Sequence, residues 1–276
     1  MDKINYDVLI PARDEENNIK KTLEGIRNQT VKPNSIIVVN DNSKDETKKI
    51  AISYGAKVIN FPYEHKNWVI SGELGILFSF GMNFFNRKNS HFIILGADHI
   101  LPKNYVEEII ENMKKDNVDM ASGIIENEIT TSPRGSGRIF TKKAMECIEW
   151  KYQSNWGYET YALFKIQSEG MKTLVYPIMT ETQRPTGKNY NLKKFYHMGF
   201  SYKALGYTSF YGIGRGLTIA KKFGMYKGMM FSLGFFSNHS IRYNKKICEH
   251  CKKNLQYSWK DIINDPKQLF KKFRIG

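Results

Sequence analysis

Four short apolar runs, each stopped by a cluster of polar residues, constrain this chain most. Tyr6-Asp-Val-Leu-Ile-Pro11, Ser35-Ile-Ile-Val-Val-Asn40, Lys57-Val-Ile-Asn-Phe61 and His91-Phe-Ile-Ile-Leu95 are too short for buried helices and too continuous for strands with one wet face. The first, second and fourth read as strands covered on both sides, the kind found in a parallel sheet, and Lys57 to Phe61 reads as the third strand. Between the first two, Ile19, Leu23 and Ile26 recur at helical spacing behind Asp14, Glu15 and Glu16, whose charge favours a helix N-terminus. Ser43-Lys-Asp-Glu46 has the form of a capping box, which starts a second helix near residue 44 that ends near Gly55. Residues 68 to 86 read as helical, and Pro102 opens a helix to about Lys115. Residues 120 to 125 and 173 to 176 form later strands, with a helix from about Glu159 to Glu169 before the last of them. Strands alternating with helices predict an α/β fold with a mostly parallel sheet and right-handed crossovers, ending near residue 183.

The charge divides at the same place. The chain of 276 residues carries a net +15, yet residues 1 to 183 hold 23 Lys and Arg against 24 acids. Residues 184 to 276 hold 19 Lys and Arg against Glu249, Asp261 and Asp265, so the whole excess lies in the last third. That third also has 18 of the 37 aromatic residues, with a helical, glycine-punctuated pattern. Interleaved basic and aromatic residues suit an anionic bilayer surface or nucleic acid, and a solvated basic layer is the plain alternative. Its segments rich in Phe, Tyr and Met between residues 195 and 236 suit lipid and a second copy of the chain equally.

No uncharged stretch reaches the length of a spanning helix, and the opening residues lack the basic and apolar regions of a secretory signal. Cys147, Cys248 and Cys251 are too few, and odd in number, for a disulfide scaffold. The expectation is a cytoplasmic protein, peripheral on the inner face of the cell membrane through its basic segment.

In an open parallel sheet, ligands bind beyond the carboxyl ends of the strands. Three polar clusters fall there: Pro11-Ala-Arg-Asp-Glu15, Asn40-Asp41-Asn42-Ser43 and Asp98-His99. A nucleotide with a divalent metal fits such an edge. Ile10-Pro-Ala-Arg-Asp-Glu-Glu16, Val38-Val-Asn-Asp-Asn-Ser-Lys-Asp-Glu-Thr47 and Leu95-Gly-Ala-Asp-His-Ile-Leu-Pro102, in this order, resemble the nucleotide-sugar half of the inverting family 2 glycosyltransferases. Gly135-Ser-Gly-Arg-Ile-Phe140 resembles that family's glycine-rich loop, and the segment from Gly157 to Gly170 its acceptor-side acidic segment and helix. The resemblance spans residues 4 to 177, less 62 to 90.

It implies the A-type glycosyltransferase fold, a Rossmann-like sheet, for the catalytic domain, which the element pattern bounds at residues 1 to 183; the pattern and charge make residues 184 to 276 a helical acceptor-side or membrane-side region. It implies donor contacts from Pro11, Ala12, Arg13, Glu15, Asp41, Ala97, Asp98, Gly137 and Arg138, and Glu159 as the base that deprotonates the acceptor for inversion. Asp98 is the expected ligand of Mn²⁺ or Mg²⁺, with His99, Glu181 and His197 as candidates for a further ligand. The family's acidic motifs are reduced here to Asn40-Asp41, Gly96-Ala97-Asp98 and Tyr158-Glu159, with one acid left in each. The implied partners are a nucleotide-diphosphate sugar and a glycan or lipid-linked acceptor, with uridine and guanosine donors equally open.

Two other classes compete. A nucleic-acid-binding protein with a catalytically degenerate sheet domain would use the basic segment, but no nucleic-acid motif occurs and Asp41, Asp98 and Glu159 are kept. A nucleotidyltransferase would need a basic glycine-rich loop after the first strand, where this chain is acidic. Cys248-Glu-His-Cys251, with His239 upstream, has ligand types suited to zinc, although a lone Cys-x-x-Cys is a weak signal. Arg184 suits either a diphosphate or a surface turn. Gly212-Ile-Gly-Arg-Gly216 has no strand before it, so helix packing explains it better than a phosphate loop.

Overall fold

The computed structural model describes residues 4–64, 73–126, 132–133, 135–153, 157–184, 192–237 and 243–255. They form two compact units, the first drawn from residues 1–66, 74–152 and 169–186, the second from 67–73, 153–168 and 187–276.

The first unit is built on an eight-stranded sheet. Strands β1 (Tyr6–Ala12), β2 (Ser35–Asn40), β3 (Lys57–Asn60) and β4 (His91–Ile94) pair in parallel, with β1 between β2 and β4. Beyond them come β5 (His99–Ile100), β6 (Met120–Ile125), β7 (Arg138–Thr141) and β8 (Thr173–Thr182), giving the order β3-β2-β1-β4-β7-β6-β8-β5. Only β7 and β5 run against their neighbours, so the sheet is mostly parallel as expected. Helices α1 (Ile19–Arg27), α2 (Thr47–Ser53), α3 (Glu73–Met82), α4 (Tyr105–Asp116) and α5 (Lys142–Cys147) connect the strands. Ile19, Leu23 and Ile26 of α1 and Val106, Ile109, Ile110 and Met113 of α4 bury their apolar faces in one core with Val8, Ile10, Val38 and Ile93 of the sheet. Helix α4 carries Glu107 and Glu108 in its first turn and Lys114 and Lys115 in its last, and Asn117 in left-handed conformation ends it.

The structure departs from the sequence reading in several places. The capping box at Ser43 does not form: α2 starts at Thr47, Asp45 Oδ1 accepts from Thr47 N at 3.0 Å, and Ser43 Oγ accepts from Asp14 N at 3.1 Å. The last strand runs to Thr182 instead of stopping at Tyr176. Pro177 sits in a bulge there, after which pairing to β6 resumes at Met179. Opposite that bulge, a side chain on Gly123 would run into the Ile178 carbonyl. The segment from Gly135 to Phe140 is a loop only in its first half, because Arg138 begins β7, an element with no pattern of its own. Of the helix expected over residues 68 to 86, α3 covers 73 to 82, and 65 to 72 lie outside the described residues.

The second unit is helical: α6 (Tyr158–Ser168), α7 (Leu192–Ala204), α8 (Ser209–Phe223), α9 (Met225–Phe236) and α10 (Lys245–Leu255). Helices α7 and α9 touch backbone to backbone, where a Cβ on Gly199 would strike the Phe231 carbonyl and one on Gly234 the Tyr196 carbonyl. The glycines 212 and 216 likewise face Phe235 and Ser232 of α9, so they serve helix packing. Phe195, Phe231 and Phe235 fill this interior. Among the described residues no helix is long and apolar enough to cross a membrane.

Candidate active site

Because β1 pairs in parallel with both β2 and β4, the carboxyl ends of all three strands lie side by side. The residues that follow them meet at one edge of the first unit. Asp41 follows β2: its N–H donates to Ala12 O at 2.9 Å, and its fully buried carboxylate lies 3.6 Å from Arg13 Nη1. Asn40 beside it donates to Asn60 Oδ1 at 3.2 Å, a neutral contact where a second carboxylate would repel Asp41. Pro11 is half-buried and Ala12 buried at the end of β1.

The loops after β1 and β2 are tied to each other. Asp14 and Asn42 both adopt left-handed backbone conformations, φ 52° and 54°, which these two residue types tolerate better than most. Lys44 N donates to Asp14 Oδ1 at 2.8 Å, Glu16 N to Asp45 Oδ2 at 3.0 Å, and Glu15 N to Thr47 Oγ1 at 2.7 Å. The acids 14 to 16 therefore hold a loop pair together and stand before the first turn of α1.

Asp98 is positioned by its backbone. Gly96 N donates to Ser136 Oγ at 2.7 Å, Thr22 Oγ1 donates to the carbonyl of the buried Ala97 at 2.8 Å, and Gln183 N donates to Asp98 O at 2.9 Å. Its carboxylate is partly exposed, and Arg184 reaches it from the end of β8. Arg184 Nε lies 3.0 Å from Asp98 Oδ2, while Nη2 lies 2.5 Å from Glu15 Oε1. Burial works to lower the Arg184 pKa, but the two carboxylates outweigh it and hold the guanidinium charged beyond its ordinary range. One side chain thus joins the acid after β1 to the acid after β4.

The other expected residues are placed as follows. Gly137 is buried at φ 77°, donating to Ile94 O and accepting from Tyr105 Oη at 2.6 Å. Arg138 is buried in β7, where it donates to Pro133 O at 2.7 Å and lies over the Phe140 ring. His99 is buried, with Nδ1 2.6 Å from Ser136 Oγ, and Glu181 is exposed in β8 opposite Ile100. Glu159 and His197 belong to the second unit, Glu159 in the first turn of α6 and His197 on α7 beside Tyr196. Among the described residues, no three His, Cys, Asp or Glu side chains gather as a metal group. His250, from the Cys-x-x-Cys segment, lies 3.2 Å from Gln167 Oε1, Cys251 is buried, and His239 lies outside the described residues.

Sequence reasoning left out Ser136 and Thr22. Thr22 carried a signal, a polar residue on the buried stripe of α1, and Ser136 lay inside the Gly135 to Phe140 segment, where only Gly137 and Arg138 were singled out. A cavity of about 880 Å³ lies at the opposite edge of the sheet, among Arg27, Lys32, Ser35 and Tyr54, and Glu24 is the sole acid lining it.

The sequence model of glycosyl transferase family 2 matches residues 7–169. An uncharacterised glycosyltransferase of Rickettsia typhi is 34% identical over 114 residues, 41% of this chain and 33% of the relative. The 4,4'-diaponeurosporenoate glycosyltransferase of Staphylococcus aureus is 49% identical over 53 residues, 19% of this chain and 14% of the relative. The matches thus span a third or less of these relatives' length. Among solved structures, S. aureus TarS 1-349 in complex with UDP-GlcNAc superposes with a TM-score of 0.59 at 11% identity, covering 83% of this chain and 78% of that one. The mannosyltransferase PcManGT from Pyrobaculum calidifontis, in complex with GDP-Man and Mn²⁺, gives 0.60 at 12% identity, covering 98% and 81%. These likenesses show the fold, which is the A-type glycosyltransferase fold. With its family model matched over more than half of the sequence, the chain belongs to glycosyl transferase family 2.

Proposed function

We propose that this chain is an inverting glycosyltransferase that uses Mn²⁺ or Mg²⁺ and moves a sugar from a nucleotide-diphosphate sugar to a hydroxyl or phosphate acceptor. The observation that carries the reading is the meeting of Glu15, Asp41, Asp98 and Arg184 at the carboxyl edge of the parallel strands. Membership in family 2 and the nucleotide-sugar complexes of TarS and PcManGT support it.

The residues at the edge suit a divalent ion. Asp98 and Glu15 offer hard carboxylate oxygens and already share a cation, the Arg184 guanidinium. Mg²⁺ and Mn²⁺ are commonly held by one or two carboxylates, with phosphates and water as the remaining ligands. In this reading Asp98 and, secondarily, Glu15 hold the ion, which supplies neutralisation of the charge developing on the departing nucleoside diphosphate. Asp41 accepts hydrogen bonds from the base or ribose, with Pro11, Ala12 and Arg13 beside it. Arg184 leaves its carboxylates for the diphosphate, for which its planar fork is suited. Glu159 takes the proton of the acceptor hydroxyl as that oxygen attacks the anomeric carbon, so one displacement occurs and the configuration inverts. A single base suffices, which accommodates Tyr158 where the family pattern has a second acid.

The acceptor side of the proposal rests on the last third of the chain. Its basic and aromatic character favours an acceptor at an anionic membrane face, a polyprenyl phosphate or a lipid-linked saccharide. The test is donor turnover with UDP- and GDP-sugars, Mn²⁺ and a polyprenyl phosphate, with the anomeric configuration read by proton NMR. An inverted product supports the reading, and a retained configuration or no turnover of any donor overturns it.

A further inference from the structure

Of the thirteen large apolar side chains left exposed among the described residues, eight stand on α8 and α9. The two helices are joined by Gly224 alone and run antiparallel, with Gly216 against Ser232 and Gly228 against Ala220. This seam uses the small residues, and the exposed large ones lie off it. On α8, Phe210, Ile213 and Leu217 are exposed at i, i+3 and i+7; on α9, Met225, Met229, Leu233 and Phe236 are exposed at i, i+4, i+8 and i+11. Each set lies about a quarter-turn from the glycine seam at 3.6 residues per turn, and because the helices run antiparallel both quarter-turns open to one side. The hairpin therefore presents a single apolar face two helices wide. At its tip stand its two most exposed apolar residues, Met225 at 72% and Tyr226 at 77%, three and four residues after Lys222, which is exposed together with its neighbour Lys221.

The charge around this face narrows what can cover it. From residue 182 to residue 248 the sequence has no Asp or Glu at all, against twelve Lys and Arg. A second copy would bring the same cations to the same face, with no carboxylate from this segment to answer them. Nucleic acid would be met by Met, Leu and Ile on the face itself, where a polyanion wants cations. An apolar strip with lysines and a tyrosine at its tip matches the boundary between anionic headgroups and acyl chains.

We infer that the α8–α9 hairpin is the membrane-docking element of this protein, lying in the interface of an anionic bilayer with the Met225–Tyr226 tip immersed and Lys221 and Lys222 at the headgroups. It rests on the membrane-face part of the proposed function and is independent of the transferase chemistry.

The experiment is co-sedimentation of the full chain with vesicles of phosphatidylcholine alone and of phosphatidylcholine with phosphatidylglycerol, at physiological salt. Three variants are compared with the wild type: Met225→Ser/Tyr226→Ser, Lys221→Glu/Lys222→Glu, and Ile52→Ser as an exposed apolar control on α2. Far-UV circular dichroism and the melting temperature check that each folds. The wild type and the control are expected to bind only the anionic vesicles, and each hairpin variant to lose about tenfold or more in partitioning. Equal binding of hairpin variants and wild type overturns the hairpin assignment while leaving a membrane-facing acceptor standing. No binding by the wild type, or equal binding to neutral vesicles, overturns both. A wild-type dimer that the hairpin substitutions dissociate, or nucleic-acid binding that they abolish while vesicle binding persists, also overturns the assignment.

Discussion

Arg184 Nε lies 3.0 Å from Asp98 Oδ2, and the same guanidinium reaches Glu15 through Nη2. A cation of the chain's own thus sits between the two carboxylates that would hold a divalent ion. Removing it vacates the place and removes a like charge. Arg184→Gln is expected to bind Mn²⁺ alone about fivefold or more tightly, the order of one nearby unit charge near a protein surface. It is expected to bind nucleoside diphosphate with Mn²⁺ more weakly. Electron paramagnetic resonance of free Mn²⁺ measures the first and calorimetry the second. Since the Arg184 side chain is half exposed, the loss of stability should stay within about 1 kcal/mol.

Glu159 is the proposed base, and its neutral isostere separates chemistry from binding. Glu159→Gln is expected to lower kcat by about 10²- to 10⁴-fold, with donor KM and melting temperature unchanged. Steady-state kinetics with a saturating acceptor decides it. A variant with full kcat would assign the proton transfer elsewhere.

Tyr105 fixes the segment before β7 from below. Its buried hydroxyl donates to Gly137 O at 2.6 Å and accepts from Gly123 N at 2.8 Å, and burial pushes its pKa up. Tyr105→Phe keeps the ring and leaves two buried backbone groups without this partner. A loss of about 1–3 kcal/mol is expected in urea unfolding.

His91 makes folding sensitive to acid. Burial, with the charge of Lys114, pushes its pKa down from 6.5 to about 4. The unfolded chain binds this proton first as pH falls, so the stability His91 allows is complete above about pH 6.5 and is lost down to about pH 4. Between pH 7 and pH 5 the loss is about 2 kcal/mol. His91→Gln should flatten that part of the profile, read as the urea midpoint at each pH.

Strand β2 was legible because burial on both faces writes itself as an unbroken β-branched run, Ile36 to Val39, and it has the limits expected from the residues alone, as β6 does. Helix α1 was legible for the complementary reason, a stripe at helical spacing. What escaped was decided by tertiary partners. Two-residue β5 exists because His99 and Ile100 pair with Thr182 and Glu181, and β7 because Arg138 to Thr141 fill the gap between β4 and β6. At the site, the sequence marked Asp41 and Asp98 through their places after strands. It could not choose between a diphosphate and a surface turn for Arg184, since its partners lie 169 and 86 residues away. His99 looked like a metal ligand by adjacency to Asp98, yet its ring is buried against Ser136.

The proposed function depends on Asp98 anchoring a metal-bound nucleoside diphosphate. It is tested most directly by the melting temperature of wild type and Asp98→Ala with UDP, GDP, dTDP and CDP, each with and without Mn²⁺. Ligand at a hundred times its Kd stabilises the native state by about 2.7 kcal/mol, enough to move the transition by several degrees. One nucleotide is expected to raise the melting temperature of the wild type only with Mn²⁺, and Asp98→Ala to abolish the rise. Stabilisation that needs no metal, or that survives in Asp98→Ala, would contradict that role of Asp98.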